Sequence, residues 1–156
     1  MPVRGLIIGK FYPPHIGHKF LIDTACRETN QVTVLLCTSG SDLIAPGLRL
    51  QWLQTSHPGT EFLILDQDAI DRNDPHAWIA ATRRLVALTP DIVFSSEEYG
   101  IRYAELLGCR HRMVDRHRLH VPCSGTQIRQ DPIAWSQFLE PHVREYFSGS
   151  LPKRLG

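Results

Sequence analysis

Four cysteines, Cys26, Cys37, Cys109 and Cys123, are scattered along the chain, and no two form a C-x-x-C pair. A zinc site made from them would need ligands from four distant segments, so reduced thiols are expected. Long apolar runs are also missing. The stretch Val3 to Gly9 is far too short to span a bilayer, and it lacks the charged and apolar regions of a signal peptide, so a cytoplasmic location without membrane contact is expected. There is no basic excess: 17 Lys and Arg face 16 Asp and Glu, for a formal charge of +1. That balance excludes the charge footprint of a nucleic-acid or anionic-membrane binder, so an anionic ligand must be held by local placement of charge. Internal repeats and low-complexity linkers are absent as well. What remains is 156 residues, 42% apolar and 21% charged, enough for one domain with a full core.

Short apolar runs alternate with longer amphipathic ones. Strands are predicted at Val3 to Gly9, Gln31 to Cys37, Glu61 to Leu65, Asp91 to Phe94 and Arg112 to Asp115. Helices are predicted from Gly17 to Thr29, from Pro46 to Ser56, from an Asp74 cap with Pro75 first to Leu88, and from Glu97 to Leu107, where Gly108 can end the helix. From Ser124 the chain reads as helical, broken by Pro132 and Pro141, and the residues from Ser148 to Gly156 read as a fraying tail. Strands alternating with helices imply parallel pairing and right-handed crossovers. The expected fold is α/β, a Rossmann-like, doubly wound, open parallel sheet of about five strands with a helical C-terminal segment, in one domain over 1–147. Ligands of such sheets bind at the carboxyl ends of the strands, which places the loops after Gly9, Cys37, Leu65 and Phe94 around one cleft.

The strongest motif runs from Gly9 to His18 and joins a predicted strand to a predicted helix. Gly17 lets the backbone approach a ligand closely. His15 and His18, three apart, can share one face of the first turn, where helix N–H groups and a partial positive charge favour an anion. With Lys10 nearby they form a donor cluster suited to phosphate. The same H-x-x-H spacing also suits capping groups around a Pro13-Pro14 turn, or a transition metal, though no third ligand lies close by. A second pair, His117 and His120, reads as part of a solvated basic loop. Ser124 can cap a helix whose first turn presents Thr126 and backbone N–H groups, with Arg129 one turn on. A guanidinium there can clamp phosphate oxygens bidentately, or can be a plain surface charge.

His15-Ile16-Gly17-His18 matches the H-x-G-H signature of the nucleotidyltransferase superfamily, and the segment from Gly9 to Pro13 resembles the opening of the NadR-type nicotinamide mononucleotide adenylyltransferases. Ser124-Gly125-Thr126-Gln127-Ile128-Arg129 resembles that branch's second motif. Weaker likeness runs through Arg49, the Pro75 to Trp78 segment, and Phe94 to Glu97. The resemblance implies transfer of AMP from ATP to the 5′-phosphate of nicotinamide mononucleotide. His15, His18, Lys10 and Arg129 would act on the phosphates. Gly9, Phe11, Tyr12, Gly17, Ser96, Ser124, Gly125, Thr126 and Arg129 would bind ATP, and magnesium would arrive with the triphosphate. On the acceptor side the resemblance implies Lys10, Arg49, Trp78, Glu97 and Tyr99, with Trp78 stacking on the pyridine and Arg49 binding the acceptor phosphate. Trp78 can equally pack its helix on the sheet, and Arg49 can equally be a solvated helix charge. Asp115 and Arg118 resemble a charged D-x-x-R patch.

The chain departs from the bifunctional members. It has no G-x-x-x-x-G-K-[ST] phosphate loop, little chain follows Gly149, and the first strand begins almost at once. Neither kinase activity nor a transcriptional role is therefore expected. Alternative readings are a sister transferase using phosphopantetheine or CTP, a silent nucleotide sensor, and a metal-binding or structural H-x-x-H protein. A homo-oligomer is compatible with the sequence, which leaves the amide-versus-acid preference open.

Overall fold

The apolar runs become strands because both of their faces find helices to pack on. In the computed structural model, which describes residues 2–148, β1 (Arg4–Gly9), β2 (Gln31–Thr38), β3 (Glu61–Asp66), β4 (Ile92–Ser95) and β5 (Arg110–Met113) form one parallel sheet of order β3-β2-β1-β4-β5. Helices α1 (Ile16–Glu28), α2 (Pro46–Ser56), α3 (Pro75–Leu85) and α4 (Tyr99–Leu107) fill the connections between them. Leu6 and Ile8 of β1 face Ile79, Tyr103 and Leu107 of α3 and α4. Ile7, between them, faces Leu21, Ile22 and Leu53 of α1 and α2. The pleat sends alternate side chains to opposite layers, and burial on both sides explains strands without polar alternation.

A third cluster docks the C-terminal segment. Ile128 of α5 (Gly125–Gln130), Leu139, and Val143 and Phe147 of α6 (Pro141–Phe147) pack with Ile44 and Trp52. The tail expected from Ser148 onward lies outside the described residues, Ser148 excepted.

Three boundaries differ from those read in the sequence. The third helix ends at Leu85, where the Val86 N–H closes on the Thr82 carbonyl; Leu88 beyond it is exposed, with no apolar face to bury. Helix α4 starts at Tyr99, because Glu97 lies in a turn whose carbonyl accepts from Ser95 Oγ at 3.0 Å. Strand β5 lies two residues upstream, since Asp115 takes a φ of 50° that ends extended pairing.

From β1 the chain steps through β2 to β3, then returns to set β4 on the other side of β1. The loops after β1 and β4 therefore part in opposite directions and open a crevice at their carboxyl ends.

Beside that crevice, α4 packs closely on β4. A Cβ on Gly100 would overlap Ser95 Oγ and come within 2.6 Å of Ser95 Cβ and 2.8 Å of His111 Nε2. Ser95 Oγ is itself 2.7 Å from His111 Nε2. Gly100→Ala is expected to lower the unfolding free energy by about 2 kcal/mol or more, as overpacking does. Urea unfolding measures this, and a midpoint equal to wild type would refute the crowding.

Candidate active site

Helix α1 is capped by a histidine instead of a hydroxyl or carboxylate. His15 Nδ1 accepts from the N–H of Gly17 at 3.0 Å and of His18 at 3.4 Å. His18 Nδ1 accepts in return from the His15 N–H at 3.1 Å, so two imidazoles make a reciprocal capping box. Their rings stack with centroids 3.7 Å apart. Because each Nδ1 is an acceptor, each neutral ring carries its proton on Nε2. Burial drives the His15 pKa from 6.5 down to about 3, helped by Arg118. Burial also holds His18 well below its ordinary value, with His15 and Arg118 adding to the effect. Gly17 is required by the same geometry, since a Cβ there would lie 2.7 Å from Cε1 and 2.9 Å from Nδ1 of His15. The sequence suggested free helix N–H groups aimed at a ligand. Two of them are engaged by His15, and the donors left to offer are the Nε2–H groups of the two rings.

The turn before α1 folds back on this pair. Phe11 takes a φ of 51°, and its ring is buried against His18 with centroids 4.7 Å apart. Tyr12 accepts from the Leu43 N–H at 2.6 Å through its hydroxyl. Its ring lies 4.7 Å from Lys10 Nζ, 5.3 Å from the Arg49 guanidinium and 5.0 Å from that of Arg129.

Arg129 reaches the turn from far along the chain. Its Nη1 donates to the Tyr12 carbonyl at 2.6 Å and its Nη2 to Thr126 Oγ1 at 3.3 Å. Ser124 caps α5 by accepting from the Gln127 N–H at 3.2 Å. A Cβ on Gly125 would press on the Tyr12 carbonyl at 3.2 Å. The two motifs therefore share one cavity of about 510 Å³. Gly9, Lys10, Phe11, Tyr12, His15, Gly17 and His18 line it from one side and Ser124, Gly125, Thr126 and Arg129 from another, while Ser96, Glu97 and Tyr99 come from the end of β4.

Asp115 and Arg118 line the same cavity. Asp115 accepts from the N–H groups of His120 and Val121, each at 2.9 Å, and so folds the basic loop. Arg118, at a φ of 53°, donates to the Cys123 carbonyl at 2.7 Å and to Glu97 at 3.1 Å. His117 and Leu119 are exposed, and His120 stacks on Phe20.

Arg49 is not at the cavity surface. It is 0% exposed, and its guanidinium donates to the carbonyls of Ile44 at 3.1 Å and Lys10 at 2.6 Å and pairs with Asp42 at 2.5 Å. It lines neither this cavity nor the next, so the expected contact with an acceptor phosphate is replaced by a structural one. Sequence reasoning missed Asp42. Its carboxylate also lies 2.9 Å from Lys10 Nζ, and although burial opposes it, Lys10, the Ser39 N–H and Arg49 hold its pKa below the ordinary value. Its position in the loop after β2, where ligands of such sheets gather, was the available signal.

A second cavity of about 450 Å³ adjoins the first, and Ile8, Gly9, Lys10 and Tyr99 line both. The Tyr99 hydroxyl donates to the Ile8 carbonyl at 3.0 Å, fixing that shared wall. Trp78 lines the second cavity with Cys37, Pro75, Ile79 and Leu106, and it also packs on the core.

The fold is of the Rossmann-like class, an open parallel sheet with helices on both faces. More particularly, the fold is shared with NadR: a structure of NadR in complex with NR matches with a TM-score of 0.72 at 18% identity, over 93% of this chain and 45% of that one. The trifunctional NAD biosynthesis/regulator protein NadR of Escherichia coli (strain K12) is 25% identical over 92% of this chain and 40% of its own length. The nicotinamide-nucleotide adenylyltransferase of Aeropyrum pernix is 27% identical over 97% of this chain and 95% of its own. The chain thus spans about 40% of the NadR relatives it matches. No family model matches it.

The buried neutral histidines set an acid limit. Above pH 6.5 neither the folded nor the unfolded chain protonates His15; below it only the unfolded chain does, until the pH nears about 3. Stability is therefore lost as pH falls through that window, by about 1.4 kcal/mol per pH unit from His15, and His18, also held low by burial, acts in the same direction. His15→Asn, which can still cap α1, is expected to flatten the slope of unfolding free energy between pH 6.5 and 5 by about one proton. Identical slopes in urea titrations would refute a neutral His15.

Proposed function

We propose that this protein transfers AMP from ATP to the 5′-phosphate of nicotinamide mononucleotide, releasing NAD and pyrophosphate. The observation that carries this is the convergence of the imidazole turn and the Arg129 helix on one cavity that opens, past Lys10, onto the Trp78 cavity. A relative of nearly the same extent, the Aeropyrum pernix protein, is named for this activity.

In this reading ATP lies in the first cavity and the pyridine mononucleotide in the second. The acceptor phosphate oxygen attacks the α-phosphorus, the bond to the bridging oxygen of the β-phosphate breaks, and pyrophosphate leaves. A phosphate monoester has its second pKa near ~6, so it is already a nucleophile at neutral pH and no general base is needed. The protein's work is alignment and charge stabilisation. His15 and His18 serve as neutral Nε2–H donors to the phosphate oxygens, and their engaged Nδ1 atoms prevent them from acting as bases. Lys10, on the shared wall, meets the transferring group and the acceptor phosphate. Arg129, Thr126 and Ser124 hold the leaving phosphates, and Gly9, Gly125 and Gly17 allow backbone approach. Ser96, Glu97 and Tyr99 border the nucleotides, and Trp78 stacks on the pyridine.

Magnesium belongs to the substrate here. The ion arrives on the triphosphate and keeps most of its waters.

Purified protein with magnesium, ATP and nicotinamide mononucleotide is expected to yield NAD and pyrophosphate in equal amounts. Release only with phosphopantetheine, or none despite ATP binding, would sink this assignment. His18→Ala is expected to lower kcat about 10²- to 10³-fold, as loss of one preorganised donor does, while destabilising the fold by only about 1 kcal/mol for the lost cap bond. Trp78→Ala is expected to raise the KM for the acceptor well above any change in the KM for ATP.

A further inference from the structure

One buried acid, Asp42, stands beside the two cavities without lining either. Its side chain is 1% exposed, so it cannot reach a nucleotide held there. Its two oxygens have different partners. Oδ2 accepts from the Ser39 N–H at 2.9 Å and from Arg49 Nη2 at 2.5 Å. Oδ1 meets Lys10 Nζ at 2.9 Å and no other donor among the described residues. A carboxylate present only to neutralise Arg49 would not need its second oxygen, shut off from water, turned on a lysine.

That carboxylate is fixed from several sides. Its loop is tied to Asp68 after β3, which accepts from the Gly40 N–H at 2.7 Å and from Ser39 Oγ at 2.8 Å. The Leu43 N–H next to it donates to the Tyr12 hydroxyl at 2.6 Å. Arg49, fully buried, donates to the Lys10 carbonyl at 2.6 Å through Nη1 while its Nη2 holds Asp42. One guanidinium thus sets both the backbone of Lys10 and the anchor of its ammonium.

We propose that Asp42 is a positioning residue, which holds the Lys10 ammonium at the wall shared by the two cavities, where the two substrates meet. The proposal rests on the reading of those cavities as the ATP and acceptor sites. A lysine is a point charge on a flexible four-carbon stem, and this one, 40% exposed, would without its anchor spread over both cavities. Alignment of two polyanions needs that charge in one place before they arrive. Because Arg49 offsets the carboxylate, the anchor fixes Lys10 and leaves its positive charge uncancelled.

The test is a double-mutant cycle on kcat for NAD formation from ATP and nicotinamide mononucleotide at saturating magnesium. Asp42→Asn keeps the shape and an oxygen for Ser39 and Arg49, but sets an NH₂ against Lys10. It is expected to lower kcat by about tenfold or more, with the KM for ATP moved by less than about threefold. In a Lys10→Ala background the same substitution is expected to change kcat by less than about twofold, because a residue that acts through another is not additive with it. Equal losses in both backgrounds, or an unchanged kcat in Asp42→Asn, would overturn the proposal. A second readout needs no variant to fold. In the wild-type chain, ¹³C relaxation of the lysine ε-carbons is expected to show Lys10 more ordered than Lys19, which is 41% exposed and paired with an equally exposed Asp23. A Lys10 as mobile as Lys19 would also overturn it. Wild-type protein that forms no NAD would instead overturn the reading of the two cavities on which this role depends.

Discussion

A guanidinium with no access to solvent holds the carboxyl end of this sheet together. Arg49 projects from α2 and binds Lys10 after β1, the Cys37 carbonyl at the end of β2, and Asp42 and Ile44 in the loop beyond. The carboxyl ends of two neighbouring strands are therefore fixed to one planar group. Breaking a buried pair of this kind costs about 3–5 kcal/mol, because it strands a charge away from water. The charge arithmetic also matters for the site: Arg49 and Asp42 cancel, so the positive charge of Lys10 is surplus and faces both cavities.

The imidazoles follow the same design, in which polar groups orient one another before any ligand arrives. Each Nδ1 is occupied by a backbone N–H, the rings stack, and Gly17 leaves room for the overlap. The tautomer is thereby set by the backbone. A chain that needed a histidine base could not use this arrangement, whereas a transfer between two phosphates needs only donors that do not reorganise as charge moves. The chemistry proposed and the capping geometry thus agree without a common assumption.

Much of the fold could be read from hydrophobic pattern, because strands buried on two faces write themselves as continuous apolar runs and Asp74-Pro75 marks a helix start. The convergence of the two motifs was legible once a parallel sheet was inferred, since carboxyl-end loops meet. Arg49 was misplaced for a physical reason. A cation in a helix of weak amphipathicity looks solvated unless one knows that the preceding loop carries a carboxylate back over it, and that fold-back of Asp42 is a tertiary event. The early end of β5 was hidden likewise, because nothing local in Asp115 announces a positive φ; its carboxylate finds the N–H groups of His120 and Val121 only after the loop has closed.

The ring of Tyr12 is a meeting point for three cations. Lys10, Arg49 and Arg129 all stand about 5 Å from it, and one carboxylate, Asp42, pairs with the first two. Arg129 is left with a carbonyl and a hydroxyl, neither of which carries a charge. Three cations thus gather round one ring with a single carboxylate among them, an excess of positive charge at this point of the fold. That imbalance sits within a protein whose overall charge is close to neutral, so it cannot be a by-product of composition. The arrangement suits the polyphosphate of the proposed reaction, and the neighbouring imidazole donors, neutral on burial, add no charge to it.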